Sequence, residues 1–396
     1  MSGSDYLRIW YRVQIGTTLL ILAMMMIRNY EFDRRRIAAL LLIMVVVLAI
    51  GLTVEVLADR LPAIVTRLNA WLQVLLQPLI LIVAWDVITR EIIVLLHLPS
   101  RGVVTLMIVY YFVMFAPFAN VIGSQLTLSV ERFIFACWMI LVAFLPLMAL
   151  PTNLIDNRFL LMGLSTGAVG SVAYFILMMT AMRAWKLSWP GLRPQWSSDF
   201  NWWILLGLVA LDLLFTAFNA GELPDLRRAS WDLTMSAFEA AVLEETLFRF
   251  AMLGILFYAW RNVKQRLPLA IVTSSALFGL LHLTNATLQH WDMTILQAIS
   301  AFALGLFFAV VYVYTGQLWL AMLMHGLLDW TSFVVTGSDL MRGTTTWQDW
   351  VSVLVELAVF GGVTAWMMFG KRRQFMERHV ARLTGEHQRF GFTIHY

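Results

Sequence analysis

The feature that most constrains this chain is an apolar run of about twenty residues that recurs from end to end. Such runs lie near 14–27, 37–57, 68–85, 102–122, 133–150, 159–182, 201–220, 231–259, 267–283, 294–315, 317–337 and 350–369. A helix needs about 20 residues to cross a hydrocarbon core, and most of the runs come close to that length. Lipid offers no partners to open backbone groups, which leaves helical bundles and closed barrels, and the runs lack the alternation of barrel strands. The expected fold is therefore all-α, a polytopic transmembrane helical bundle of about ten to twelve spans.

Composition agrees, since 60% of the 396 residues are hydrophobic and only 13% are charged, which excludes an ordinary soluble domain. The single cysteine, Cys137, can form no intrachain disulfide. The first 27 residues have the look of a signal peptide, but Arg28, Glu31 and Asp33 follow the apolar part without a small-residue cleavage site, so the segment reads as a retained span.

The tail after the last run carries Lys371, Arg372, Arg373, Arg378 and Arg382. A basic cluster beside a span is expected on the cytoplasmic side, drawn to anionic lipid and with no nucleic-acid role. Counting spans backwards from a cytoplasmic tail puts Arg261, Lys264 and Arg266 inside, with Arg183, Lys186 and Arg193, and leaves 282–292, which has no Lys or Arg, outside. The same count puts "RNYEFDRRR" (28–36) outside, against the positive-inside rule. One span in the first half is thus miscounted, and the long segment 68–98, with Asp86, Arg90 and Glu91, is the suspect. The Pro-, Trp- and Ser-rich loop 184–202 is the expected boundary between an N-terminal region (1–183) and a C-terminal one. A final span over 350–370 and the basic tail 371–396 complete the division.

The C-terminal half buries charge. Glu244, Glu245, Arg249, His282, His325, Asp329 and Asp212 all sit inside apolar runs, where an ionised group costs at least roughly 2.5–3.5 kcal/mol. Glu245 and Arg249 are four apart with the acid first, the better orientation for an intrahelical pair. Glu244 points about 100° away and is left to face another helix. His325 and Asp329 also share a face, and a carboxylate is a common way to fix an imidazole tautomer. At the helical rise, Glu244 lies about 25 Å beyond Arg261 and His282 about 24 Å beyond Arg266. His325 and Asp329 lie roughly 14 and 20 Å beyond Gly316, so the four groups can share one chamber.

The order Glu-Glu-x-x-x-Arg at 244–249, Phe-x-x-x-His at 278–282 and His-x-x-x-Asp at 325–329 resembles the CPBP family of intramembrane proteases, named for CAAX-protein and bacteriocin processing. That family includes the type II CAAX prenyl endopeptidases, and the resemblance covers roughly residues 200–340. It implies an endopeptidase in which Glu244 with His282 activates a water, His325 and residue 329 stabilise the oxyanion, and Glu245 with Arg249 holds the first helix in register. The implied substrate is a peptide or protein, with or without a lipid anchor, and no cofactor is required. One departure is Asp329, where prenyl endopeptidases typically have Asn; an ionised Asp accepts hydrogen bonds but cannot donate to an oxyanion. The expectation is that Asp329 orients His325 and leaves donation to the imidazole.

Other readings compete. Zinc held by Glu244, His282 and His325 would make the chain a metalloprotease, although no His-Glu-x-x-His is present. A transporter would use Asp212, Glu239 and Glu244 as relay carboxylates. An immunity or scaffold protein would keep the polar core for folding alone. "GLSTG" (163–167) matches Gly-x-Ser-x-Gly, but it lies within an apolar run and not on a strand-to-helix turn, so Ser165 is not expected to be a nucleophile. Its small residues, with Gly170 and Ser171, suit close helix approach. Trp202, Trp203, Trp319 and Trp330 near span ends are expected interface anchors.

Overall fold

A computed structural model of the chain describes residues 3–96, 100–145, 155, 157–187, 191, 200–220, 229–341 and 343–386. Among these residues there is no strand. The protein is an all-α, polytopic helical bundle. Two compact units divide it, Met1–Trp185 and Lys186–Tyr396.

The first unit opens with a hairpin of α1 (Gly3–Glu31) and α2 (Arg35–Val56), followed by α3 (Ala63–Leu96). The suspect segment is one helix: α3 runs 34 residues with Pro78 inside it. Polar side chains tie these helices where lipid cannot compete. Arg12 makes a two-pronged pair with Glu55 at 2.7 and 3.0 Å, and the Tyr11 hydroxyl donates to Gln77 at 3.1 Å. Then come α4 (Ser100–Val113), α5 (Ala116–Val121), α6 (Ser129–Trp138) and α7 (Leu141–Phe144). The unit ends with α8 (Arg158–Ser165) and α9 (Ala168–Ala184), bent by 56° at a break where Gly167 is left-handed. The Gly-x-Ser-x-Gly match at 163–167 therefore falls at a helix bend. Gly170 packs on the α7 backbone so closely that a Cβ there would meet the Ala143 carbonyl oxygen, the close approach expected of the small residues.

Eight described helices are long and apolar enough to cross a membrane, nine if the bent pair is one span. Two more apolar elements of the expected twelve fall short of that test. One is 202–218, which is short; the other is 231–259, whose continuous helix carries Asp232, Glu239, Glu244, Glu245 and Arg249. The run 133–150 is the one that does not form a long helix, because its described part is divided between α6 and α7, and 146–150 lie outside the described residues. Apolar composition served packing there.

The second unit contains α10 (Trp202–Ala220), α11 (Trp231–Glu245), α12 (Leu253–Ala259), α13 (Arg266–Leu281), α14 (Trp291–Thr315), α15 (Leu318–Thr336), α16 (Trp347–Met367) and α17 (Gly370–Leu383). A π-helical stretch, Thr246–Met252, joins α11 to α12 without interruption. The centre is α14: from Ala303 to Thr315 every residue is buried, as befits a helix apolar all round. Against it pack α13, α15, α16 and α17, while α11 packs on α15. The α11–α15 crossing is tight because Gly326 faces Ala241 and a Cβ at 326 would come within 3.2 Å of the alanine methyl. After the last span, α17 turns its apolar face (Phe375, Met376, Val380, Leu383) inward and caps the end of α14, with His379 Nδ1 donating to the Val313 carbonyl at 2.9 Å.

Candidate active site

Three stretches of helix converge. Glu244 and Glu245 end α11, His282 ends α13 and opens a short 3₁₀ turn (His282–Thr287), and His325 and Asp329 lie one turn apart on α15. The Gly326–Ala241 contact brings α11 and α15 close enough for side chains beside it to meet, since 326 adjoins His325 and 241 lies one turn before Glu244 and Glu245.

His325 is the hub. Its Nδ1 lies 2.9 Å from Glu245 Oε1, and its Nε2 lies 3.2 Å from Asp329 Oδ2 and 3.6 Å from Glu244 Oε2. The ring stacks on Phe308 of α14, centroids 5.3 Å apart and planes 20° from parallel, which fixes its plane. Glu245 also reaches Arg249, whose Nε stands 3.1 Å from Oε2, in ion-pair contact but out of line for a hydrogen bond. The guanidinium lies over the Phe278 ring at 4.4 Å and within 5.8 Å of Phe308, so aromatic faces surround a cation that is 1% exposed.

Local backbone explains how Arg249 gets there. The π stretch begins directly after Glu245, and its wide turn is marked by the Leu253 N–H bonding to the Phe248 carbonyl five residues back. That same carbonyl accepts from Ser274 of α13 at 2.9 Å, tying the widened turn to the helix that carries His282. Such insertions are frequent at functional sites.

His282 Nδ1 lies 2.9 Å from the Phe278 carbonyl, which can only accept. The proton is therefore on Nδ1, and in the neutral ring Nε2 is left as an acceptor. Glu244 and His282 are electrostatic neighbours, but no ion pair within 4.0 Å joins them. Accessibility is graded across the cluster. Glu245 and Arg249 are sealed at 0% and 1%, His325 is buried, and Glu244 and Asp329 keep 22% and 19% of their side-chain surface open. Glu244 and Asp329 are thus the more accessible acids of the cluster, and Glu245 with Arg249 the sealed pair.

Five of the six residues singled out from the motifs, Glu244, Glu245, Arg249, His325 and Asp329, are joined by contacts within 4 Å, and His282 stands beside them as an electrostatic neighbour of Glu244, with one difference in who holds what. Glu245, and not Asp329, grips Nδ1, while Asp329 shares the Nε2 pole with Glu244. Other neighbours were less visible in the motifs. Phe308 comes from an unbroken apolar run with no distinguishing signal. Asp212 of α10 is 1% exposed, is an electrostatic neighbour of His325, and neither carboxylate oxygen makes a hydrogen bond. Glu239 lies near Glu244 and Asp329. The zinc alternative requires Glu244, His282 and His325 around one ion. Among the described residues no three His, Cys, Asp or Glu side chains gather closely enough to hold a metal, so this arrangement does not fit that group.

Along the same helix pair, Thr234, Ala237, Phe238 and Ala241 of α11 and Trp319, Leu323, Gly326 and Trp330 of α15 line an almost wholly apolar groove of about 570 Å³. Trp330 donates to Thr234 at 3.1 Å across it.

The comparison with known families falls on these helices. Residues 227–331 match the Rce1-like family model. That family is described as type II CAAX prenyl endopeptidase, Rce1-like, and the matched stretch contains Glu244, Glu245, Arg249, His282, His325 and Asp329. It agrees with the resemblance drawn from the three motifs and leaves the first unit and Asp212 outside it. No curated protein and no solved structure matches the chain.

Proposed function

We propose that this chain is an intramembrane endopeptidase in which Glu244 and His282 activate a water and His325 stabilises the oxyanion. Membrane endopeptidase chemistry in general is what the family match supports, and the long apolar helices make the chain an integral, multi-pass membrane protein. The observation that carries the finer reading is the position of His325, gripped at Nδ1 by a sealed acid and presented at Nε2 between two open ones.

The chemistry follows from the donors. Glu244 takes a proton from a water held between it and the acceptor Nε2 of His282, and the hydroxide attacks the scissile carbonyl. The carbonyl oxygen, as its charge develops, takes the place of Asp329 at the His325 Nε2–H. Glu245 keeps the ring turned and supports the imidazolium, and Arg249 balances Glu245. Glu244 then passes its proton to the departing amine. An apolar segment or lipid anchor of the substrate fits the groove along α11 and α15.

The test is cleavage of a membrane-embedded peptide library by purified protein in liposomes, with Glu244→Gln as the key variant. The reading requires Glu244→Gln to lose turnover while keeping its melting temperature, and wild-type turnover to survive exhaustive chelation. Loss of turnover on chelation, restored by zinc, would establish the metalloprotease instead. A Glu244→Gln variant as active as wild type would remove Glu244 from the mechanism.

A further inference from the structure

We propose that the α1–α2 hairpin of the first unit holds an anionic phospholipid, one acyl chain in a groove between the two helices and the headgroup phosphate on Arg34 and Arg36. Nothing in this inference depends on the proposed proteolysis.

The turn is tightly built. Asp33 is left-handed, the Arg34 N–H bonds to the Asn29 carbonyl at 2.8 Å, and Asn29 is itself buried and bonded to the Met25 carbonyl. Beside it Met26, Ile27 and Tyr30 of α1 and Arg35, Ala38, Ala39 and Leu42 of α2 line a half-open groove of about 390 Å³, with almost entirely apolar walls. The space exists because α2 presents two alanines where the neighbouring turns carry leucine and isoleucine. A groove of that kind between two membrane helices suits a hydrocarbon chain.

Its rim is cationic. Arg34, Arg35 and Arg36 follow one another at the turn; Arg35 lines the slot and is engaged with Asp33 at 2.9 Å, whereas its chain neighbours Arg34 and Arg36 are exposed and make no ion pair among the described residues. Arg28, the fourth arginine of the turn, is taken by Glu91. Tyr30 and Phe32 are largely exposed beside them, the amphipathic and aromatic residues that settle at headgroup level. Two uncommitted guanidiniums on either side of the residue that rims an apolar slot match a ligand with a negative head and an apolar tail. A free phosphate would leave the slot unused, and a zwitterionic lipid would leave the charge unmatched.

Full-length protein is exchanged into nanodiscs of dioleoyl phosphatidylcholine with or without dioleoyl phosphatidylglycerol, and retained lipid is counted by native mass spectrometry. Wild type is expected to retain the phosphatidylglycerol over the phosphatidylcholine by about thirtyfold, from two cationic contacts near the surface at about 1 kcal/mol each. Arg34→Gln with Arg36→Gln abolishes the preference. Ala39→Phe fills the slot from an exposed position with the charge untouched, and lowers occupancy to the level of the double variant. Inorganic phosphate leaves wild-type retention unchanged. Equal retention of the two lipids by wild type overturns the proposal, and so does an Ala39→Phe variant that keeps wild-type retention, since the arginines would then act as a diffuse surface charge. If the arginine variant fails to fold, raising salt on wild type replaces it: retention unaffected by salt counts against the phosphate contact.

Discussion

Replacing Arg249 with Met removes the one arginine or lysine in contact with Glu245 among the described residues while keeping an apolar stem of similar length. Both partners are sealed, at 1% and 0% exposure, so neither charge can be recovered by water. Breaking such a pair from one side costs about 3–5 kcal/mol. The lost stacking on Phe278 lies within that range, so about 4 kcal/mol is expected for Arg249→Met. For a unit of this size that corresponds to a fall of about 8–16 °C in melting temperature. The cause is specific: Glu245 is left as a buried carboxylate with only His325 to balance it. Adding Glu245→Gln removes that charge and leaves an amide oxygen to accept from His325 Nδ1. The double variant should therefore recover all but about 1 kcal/mol. Thermal unfolding of the wild type, both single variants and the double in one detergent closes the cycle. A double variant no more stable than Arg249→Met would show that the cost lies in lost packing, and the electrostatic account of the sealed pair would be refuted.

Three further outcomes follow from the same geometry. Asp329→Asn, which supplies an amide donor beside His325 Nε2 and removes a negative charge there, should hold kcat/KM within about tenfold of wild type, whereas Asp329→Leu should lose about 10²–10³-fold; equal losses would deny the position any role in the oxyanion's surroundings. Asp212→Leu removes two buried oxygens without hydrogen-bond partners and should raise stability by about 1–3 kcal/mol, read as a higher melting temperature; a lower one would show that the carboxyl is held by a favourable contact. Burial, reinforced by the charges of Arg382 and Arg378, lowers the His379 pKa to about 4, below its unfolded value near 6.5. The unfolded chain then binds the extra proton first, so the contribution is complete above about pH 6.5 and is lost as pH falls toward 4, roughly 3 kcal/mol in all. Unfolding midpoints across that window, with His379→Gln as a flat control, check the sign.

Much of the site could be read from spacing because a helix converts four residues into one face. Glu245 with Arg249 and His325 with Asp329 meet as that rule requires, and Glu244, 100° round, does turn to another helix. Angular position tells where a side chain points and not what stands there, so the grip of Glu245 on Nδ1 and the place of Asp212 near His325 had no counterpart in the pattern. Backbone widening at Thr246–Met252 is likewise invisible, since its seven residues read as ordinary apolar helix. The run 133–150 misled for a related reason. Hydropathy reports the dryness of the final environment, and short helices packed inside a bundle are as dry as one that faces lipid.

The π turn also sets how the chain tolerates changes in length. A helix of uniform pitch transmits any indel as a rotation of about 100° to everything beyond it, whereas a loop one residue too wide has slack to surrender. Excising one residue from 250–252 would relax that slack into regular pitch, preserving the axis of the rod and leaving α12 in register with the helices it packs on. The oversized loop thus acts as a buffer between the acids before it and the packed helix beyond it, taking up a change of one residue that a regular helix would pass on.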